Sequence, residues 1–179
     1  AYVLTAHVIF LRIQGILSMA YTGLSMAAMT LMGKNIGASE HQLAERTART
    51  FSFVGFFFSL VVAIIMIVLA RPIFSVFTTE TKVIELGIMV MIVFAVVQIP
   101  KAVDGVIIGN LRGAGELNWI MWMTIVGVLI FEVGLNWVAV FVLNLSLFGL
   151  WLVHFLDECV RIITNYWRFK VGRWKSIKI

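Results

Sequence analysis

Five long apolar segments, about 5–32, 51–70, 83–108, 119–142 and 147–168, follow one another with only short connections. A spanning helix needs about 20 predominantly apolar residues, so five spans use up nearly all of the 179 residues. No soluble domain of useful size remains. The chain is 61% hydrophobic and 13% charged, against roughly 25% charged residues in a soluble domain, and its mean hydropathy is +1.03. In lipid every backbone polar group must be satisfied inside its own segment, which leaves helices as the solution for segments of this length. The expected fold class is all-α, a polytopic transmembrane helix bundle, in a single lobe with a short basic tail over 169–179.

The flanks of the spans predict the orientation. Lys34, Arg46, Arg49, Arg112 and the tail residues Arg168, Lys170, Arg173, Lys175 and Lys178 fall on one side, and only Arg71 and Lys82 on the other. Positive residues mark the cytoplasmic side, so the carboxyl terminus is expected in the cytoplasm and the amino terminus outside. The net charge of +5 sits largely in that tail; beside a membrane helix it marks a cytoplasmic flank rather than a nucleic-acid site. The single cysteine, Cys159, excludes an intrachain disulfide and a cysteine-based metal cluster. The chain opens on Ala1 with no basic leader before its first apolar run, and five spans with an external start predict that an earlier span precedes it.

Segment one carries Arg12, placed to snorkel to the interface, and then the small residues Ser18, Ala20, Gly23, Ser25, Ala27 and Ala28, which suit close packing inside a bundle. Gly33 through Arg49 reads as a surface elbow: the glycines end the first helix, and Ser39 with Gln42 resembles a capping box that opens a short amphipathic helix. Segment two has no charge and reads as lipid-facing, closed by Arg71-Pro72. Trp119 and Trp122 open segment four as interfacial anchors. The very short connection around Asn144 and Ser146 makes segments four and five an antiparallel pair.

Polar groups inside these segments are the candidates for function, because charges in hydrocarbon are costly. Gln98, Lys101 and Asp104 share one face of segment three, with Pro100 among them as a candidate helix break and Gly105, Gly109 and Gly113 following. Lys101 and Asp104 are close enough to pair, as an internal brace or as an ion or proton site. Glu132 lies near the middle of segment four with Asn136 one turn on, suited to carrying a proton or to pairing with Arg161 or Lys101. His154, Asp157, Glu158 and Arg161 occupy one stripe of segment five. Spacings of four pair Asp157 with Arg161 and His154 with Glu158. There is no zinc-site spacing, no assignable nucleophile triad and no phosphate loop, so no enzyme activity and no cofactor are expected.

Two stretches in order resemble the multidrug and toxic compound extrusion (MATE) transporters. Ala28-Met-Thr-Leu-Met-Gly-Lys-Asn-Ile-Gly-Ala38 with Ala44 through Arg49 is similar to the family's span-ending glycine motif and the amphipathic helix after it. Gly109-Asn-Leu-Arg-Gly-Ala-Gly-Glu116 is similar to its glycine-arginine-glycine elbow, and Arg168 through Lys175 resembles its carboxyl terminus.

The resemblance covers nearly the whole chain and implies spans eight to twelve of a twelve-span, two-lobe transporter. It implies a bacterial or archaeal cytoplasmic-membrane protein, partnered by a missing amino-terminal lobe and the bilayer. The implied activity is export of small cationic amphipathic compounds in exchange for Na+ or H+. Family members with a second-lobe coupling acid in the tenth span carry it near Lys101, which shifts that role toward Asp104. The candidate coupling groups are then Asp104, Glu132, Asp157 and Glu158, with Gly105 and Gly109 as a packing face and Gly113 and Gly115 as an elbow. Two other readings remain: a lipid-linked oligosaccharide flippase of the same superfamily, disfavoured by an excess of buried acids over Lys101 and Arg161, and a non-transporting membrane scaffold.

Overall fold

The structure is a computed structural model, and it describes residues 2–145 and 147–176. Ser146 and Lys178, named above for the fourth connection and the tail, lie outside the described residues. Six α-helices account for nearly all the rest: α1 (Tyr2–Gly37), α2 (His41–Val68), α3 (Ala70–Phe77), α4 (Thr81–Gly113), α5 (Leu117–Gly127) and α6 (Leu147–Val171). Beyond Gly127, α5 runs on in π-helical geometry through Val128–Leu135 and Val138–Val142, and a 3-10 turn, Arg173–Ser176, follows α6. No strand occurs among the described residues. Four helices are long and apolar enough to cross a membrane: α1, α2, α4 and the α5 continuation through Val142. The polar stripe of α6 keeps it outside that apolar set, although its 25 residues extend about 38 Å, enough for a bilayer core.

Two local expectations change. Ser39 is not a helix-opening cap: its φ is +61°, and it closes α1, with Glu40 N–H donating to Asn35 O (2.8 Å) and Ser39 N–H to Ile36 O (2.8 Å). This is the paired bonding of a left-handed helix terminus, with serine where glycine is usual. The residue before α2 is Glu40, and no side chain caps that end. From His41 to Val68 nothing interrupts the backbone ladder, so the amphipathic stretch and the span form one helix. Likewise Arg71-Pro72 does not close segment two. The break is at Leu69, and Pro72 sits in the first turn of α3, where a missing N–H costs nothing.

Packing divides the lobe by depth. At the end remote from the tail, Phe10, Phe74, Phe94 and Trp151 interlock with ring centroids 4.8–5.6 Å apart. Phe74 fills the space left by Gly87, where a β-carbon would stand 2.3 Å from its ring. At the tail end a second cluster gathers Met32, Ile36, Ala44, Ala114 and Trp174. α1 and α4 approach most closely at Gly109 and Gly113, where β-carbons would stand 2.3 Å from the carbonyl oxygens of Ser25 and Met29. Small residues give close approach where lipid supplies no hydrophobic drive. Gly105 has open space around it; it joins the seam through its carbonyl, which accepts from Ser25 Oγ at 2.6 Å.

Candidate functional site

Between the two apolar clusters lies a polar seam, built chiefly by α4 and α6. On α6 the residues His154, Asp157, Glu158, Arg161, Asn165 and Arg168 recur every three or four positions, so a straight helix presents them as one stripe. Gln98, Lys101 and Asp104 meet that stripe from α4, which Pro100 does not break. Burial is deep: Gln98 is 0% exposed, Asp104 2%, Asp157 1% and Glu158 7%.

The partners differ from those that spacing suggests. Lys101 does not pair with Asp104. Its ammonium lies 3.2 Å from Glu158 Oε1 and 3.2 Å from His154 Nε2, bridging the helices. Because lysine can only donate, His154 Nε2 is an acceptor in this contact. His154 and Glu158 are themselves 3.7 Å apart, beyond hydrogen-bond distance, so the α6 cluster is completed by Lys101 rather than by itself. Asp157 and Arg161 do pair, with Arg161 Nε 2.9 Å from both carboxylate oxygens. Arg161 lies across Gly127 of α5, where a β-carbon would stand 2.6 Å from its Nη2.

Asp104 is engaged by a neutral group: Asn165 Nδ2 donates to its Oδ1 at 2.9 Å. Gln98 donates to Gln14 Oε1 on α1 and to Phe94 O, both at 3.0 Å. Glu132 is exposed on the π-helical part of α5, and neither an ion pair nor a hydrogen bond engages its side chain among the described residues. The pairing foreseen for it with Arg161 or Lys101 does not form, because both cations are taken by α6 carboxylates. Asn136 is half-buried, with its Oδ1 buried and without a hydrogen-bond partner.

A cavity of about 490 Å³ opens along the seam, with α1 forming its other wall. Tyr21 and Ser25 of α1, Lys101, Asp104 and Arg112 of α4, and Glu158 and Arg161 of α6 carry its chemistry. The Tyr21 hydroxyl is buried with no hydrogen-bond partner among the described residues. The lining therefore combines three cations and two carboxylates with neutral donors. Of its two carboxylates Glu158 meets Lys101, whereas Asp104 has no cation in contact among the described residues. Sequence reading missed Asn165, Arg112 and Tyr21. Asn165 was within reach by extending the α6 stripe one more turn, whereas nothing in the sequence said which face of α1 would meet α4.

Residues 1–138 match the MatE family profile. A probable multidrug resistance protein NorM from Thermotoga maritima is 26% identical over 172 residues, which is 95% of this chain and 37% of that protein. The multidrug and toxin extrusion protein 2 of Oryctolagus cuniculus is 29% identical over 149 residues, 83% of this chain and 25% of that protein. The chain thus spans well under half the length of these curated relatives. Among solved structures, the eukaryotic MATE transporter AtDTX14 superposes with a TM-score of 0.90 at 19% identity, covering 98% of this chain and 39% of that one. Helix order, the glycine seam between α1 and α4 and the family match agree: the chain belongs to the MatE family, the multidrug and toxic compound extrusion transporters.

Proposed function

We propose that this chain is the carboxyl-terminal lobe of a secondary active antiporter that exports cationic amphipathic compounds in exchange for Na+ or H+. In this reading α6 is a fifth span, the basic tail lies in the cytoplasm, and an amino-terminal lobe closes the cavity from the opposite side. The supporting observation is Asp104: it is 2% exposed, lines the cavity and has no cation in contact, while Asp157 and Glu158 do. A carboxylate so placed can accept a proton or a sodium ion without first breaking an ion pair. Alternating access then needs α4 and α6 to carry the site as a unit while the lobes rock, and the Lys101–Glu158 bridge holds them together. The test is Asp104→Asn in the two-lobe transporter, reconstituted in vesicles with an imposed ion gradient. Loss of gradient-driven export is expected. Export at the unaltered rate would remove Asp104 from coupling.

One observation favours a second reading. The cavity wall carries Lys101, Arg112 and Arg161 against Asp104 and Glu158, so the excess of acids counted along the sequence is not an excess at the wall: Glu132 faces outward and Asp157 lies behind Arg161. A cationic wall suits an anionic cargo such as the pyrophosphate of a lipid-linked oligosaccharide. Competition by inorganic pyrophosphate against a bound cationic dye separates the two. Displacement of the dye by excess organic cation alone supports export of cations, and protection of Arg112 from dicarbonyl modification by pyrophosphate supports the flippase.

A further inference from the structure

Asp104 is the inner end of a chain of contacts that reaches the elbow between α4 and α5. Its Oδ1 accepts from Asn165 Nδ2 (2.9 Å), and Asn165 Oδ1 accepts from Trp119 Nε1 (3.0 Å). The Arg168 guanidinium lies over the Trp119 ring, 4.9 Å from its centroid, and is bonded to Glu116 Oε2 by Nε (3.2 Å) and Nη2 (2.7 Å). Glu116 is held in turn by the α4–α5 elbow, where Gly115 has φ +79° and Glu116 N–H donates to Leu111 O at 2.9 Å. Asn165 is 2% exposed and Glu116 6%. The path therefore runs through buried and half-buried groups from the α4–α5 elbow and α6 to the cavity acid of α4.

One step in it has a fixed direction. An asparagine amide is symmetric in shape and opposite in chemistry at its two ends, so by itself it presents either a donor or an acceptor to a neighbour. An indole N–H only donates. With Trp119 on one side, Asn165 must turn its oxygen to the indole and its NH2 to Asp104. We infer that Trp119 is a positioning residue for the cavity acid: it sets the Asn165 amide so that Oδ1 of Asp104 is held by a donor and Oδ2 is left for the cavity. Oδ2 has no hydrogen bond within the described residues. The charged groups around the carboxylate are Lys101 on its own helix and Asp157, Glu158 and Arg161 on α6, with the Tyr21 phenol of α1 in the same cavity. None of them is hydrogen-bonded to Asn165 among the described residues; the ionised Asp104 carboxylate, which only accepts, favours the same amide orientation, and Trp119 holds it when that carboxylate has bound its ion. Arg168 and Glu116 pin the ring that does so.

This inference rests on the proposed role of Asp104 in ion coupling, and the experiment separates the two. Trp119→Phe keeps the ring, and with it the contact to Arg168, but removes the donor; Asn165→Leu removes the amide. In the two-lobe transporter in vesicles, each variant is expected to lower the half-saturating concentration of the coupling ion by about three- to tenfold, the scale of one net hydrogen bond, with the maximal rate kept, because a carboxylate that loses a donor holds its ion more tightly. The double variant is expected to match either single one, because both break the same relay. An unchanged or raised half-saturation in Trp119→Phe, or additive shifts in the double variant, would overturn the positioning role. So would a fall in maximal rate alone with a lowered melting temperature, which marks a structural part. Asp104→Asn is measured beside them. Unaltered ion dependence there overturns the coupling role of the carboxylate and with it the inference, whereas its loss combined with a silent Trp119→Phe overturns the inference alone.

Discussion

Lys101 holds the seam because two α6 groups depend on it. Removing its ammonium by Lys101→Met leaves Glu158, 7% exposed, with no cation in contact and His154 Nε2 without its donor. The two side chains of this pair are 24% and 9% exposed, so solvent tempers the cost. A loss of about 2 kcal/mol is expected, below the 3–5 seen when a fully buried pair is broken. Thermal unfolding in detergent checks it, and Lys101→Met with Glu158→Gln should recover most of the loss, since no charge is then stranded. Glu132→Gln is the contrast: exposed and unpartnered, it should leave stability within about 0.5 kcal/mol. A fall comparable to that of Lys101→Met would mean that Glu132 has a partner within the lobe. The sequence made the candidates legible but not their partners. Spacing says which groups share a helix face, as with Asp157 and Arg161; it does not say what stands opposite on another helix. Lys101 and Asp104, three apart, reach different parts of α6 instead of each other.

At the scale of elements, the glycines of α4 separate into two kinds that look alike in sequence. Gly109 stands against the Ser25 carbonyl at a distance that admits no side chain, and backbone cannot turn aside as a flexible side chain can. Gly105 faces open space. Gly109→Ala is therefore expected to force α1 from α4 and cost about 2–3 kcal/mol, the scale of overpacking a core. Gly105→Ala is expected to be neutral or slightly stabilising through helix propensity. Equal melting temperatures for the two variants would show that the seam tolerates a methyl group and that the glycines are not its determinant. Helix order and the short α5–α6 connection were readable from hydropathy and length. The helix ends were not: Ser39 carries the residue type of a cap but adopts the left-handed geometry of a terminus, and Pro72 reads as a stop yet fits the opening turn of α3. The π-helical course after Gly127 leaves no trace in a run that carries only Glu132 and Asn136 among apolar residues, because periodicity needs more polar residues than that to be seen.

In the molecule as a whole, the tail is a structural part and not only a cluster of positive charge. Trp174 is 0% exposed, stacks on Phe169 with 17° between the rings, and donates its Nε1–H to Phe169 O at 2.9 Å. Around it stand Met32 and Ile36 of α1, Ala44 of α2 and Ala114 of the α4–α5 elbow, so one side chain from the end of the chain closes every helix end on that face. The sequence showed a tryptophan among arginines and lysines, and charge dominated the reading; that the ring turns inward depends on Gly172, whose φ of +74° reverses the chain after α6. The next residue, Lys175, pairs with Glu45 of α2, but both side chains are 46% exposed, and such pairs contribute little. Burial and charge thus make different predictions. Trp174→Ala should cost about 3–4 kcal/mol, the range for truncating a buried aromatic ring, and should speed tryptic cleavage after Arg173 and Lys175 by at least tenfold. Glu45→Gln should leave both close to the unaltered chain. If Glu45→Gln frees the tail as readily as Trp174→Ala, the ion pair holds it and the buried ring is a passenger. If only Trp174→Ala does, apolar packing and not charge anchors the basic tail to the helix ends.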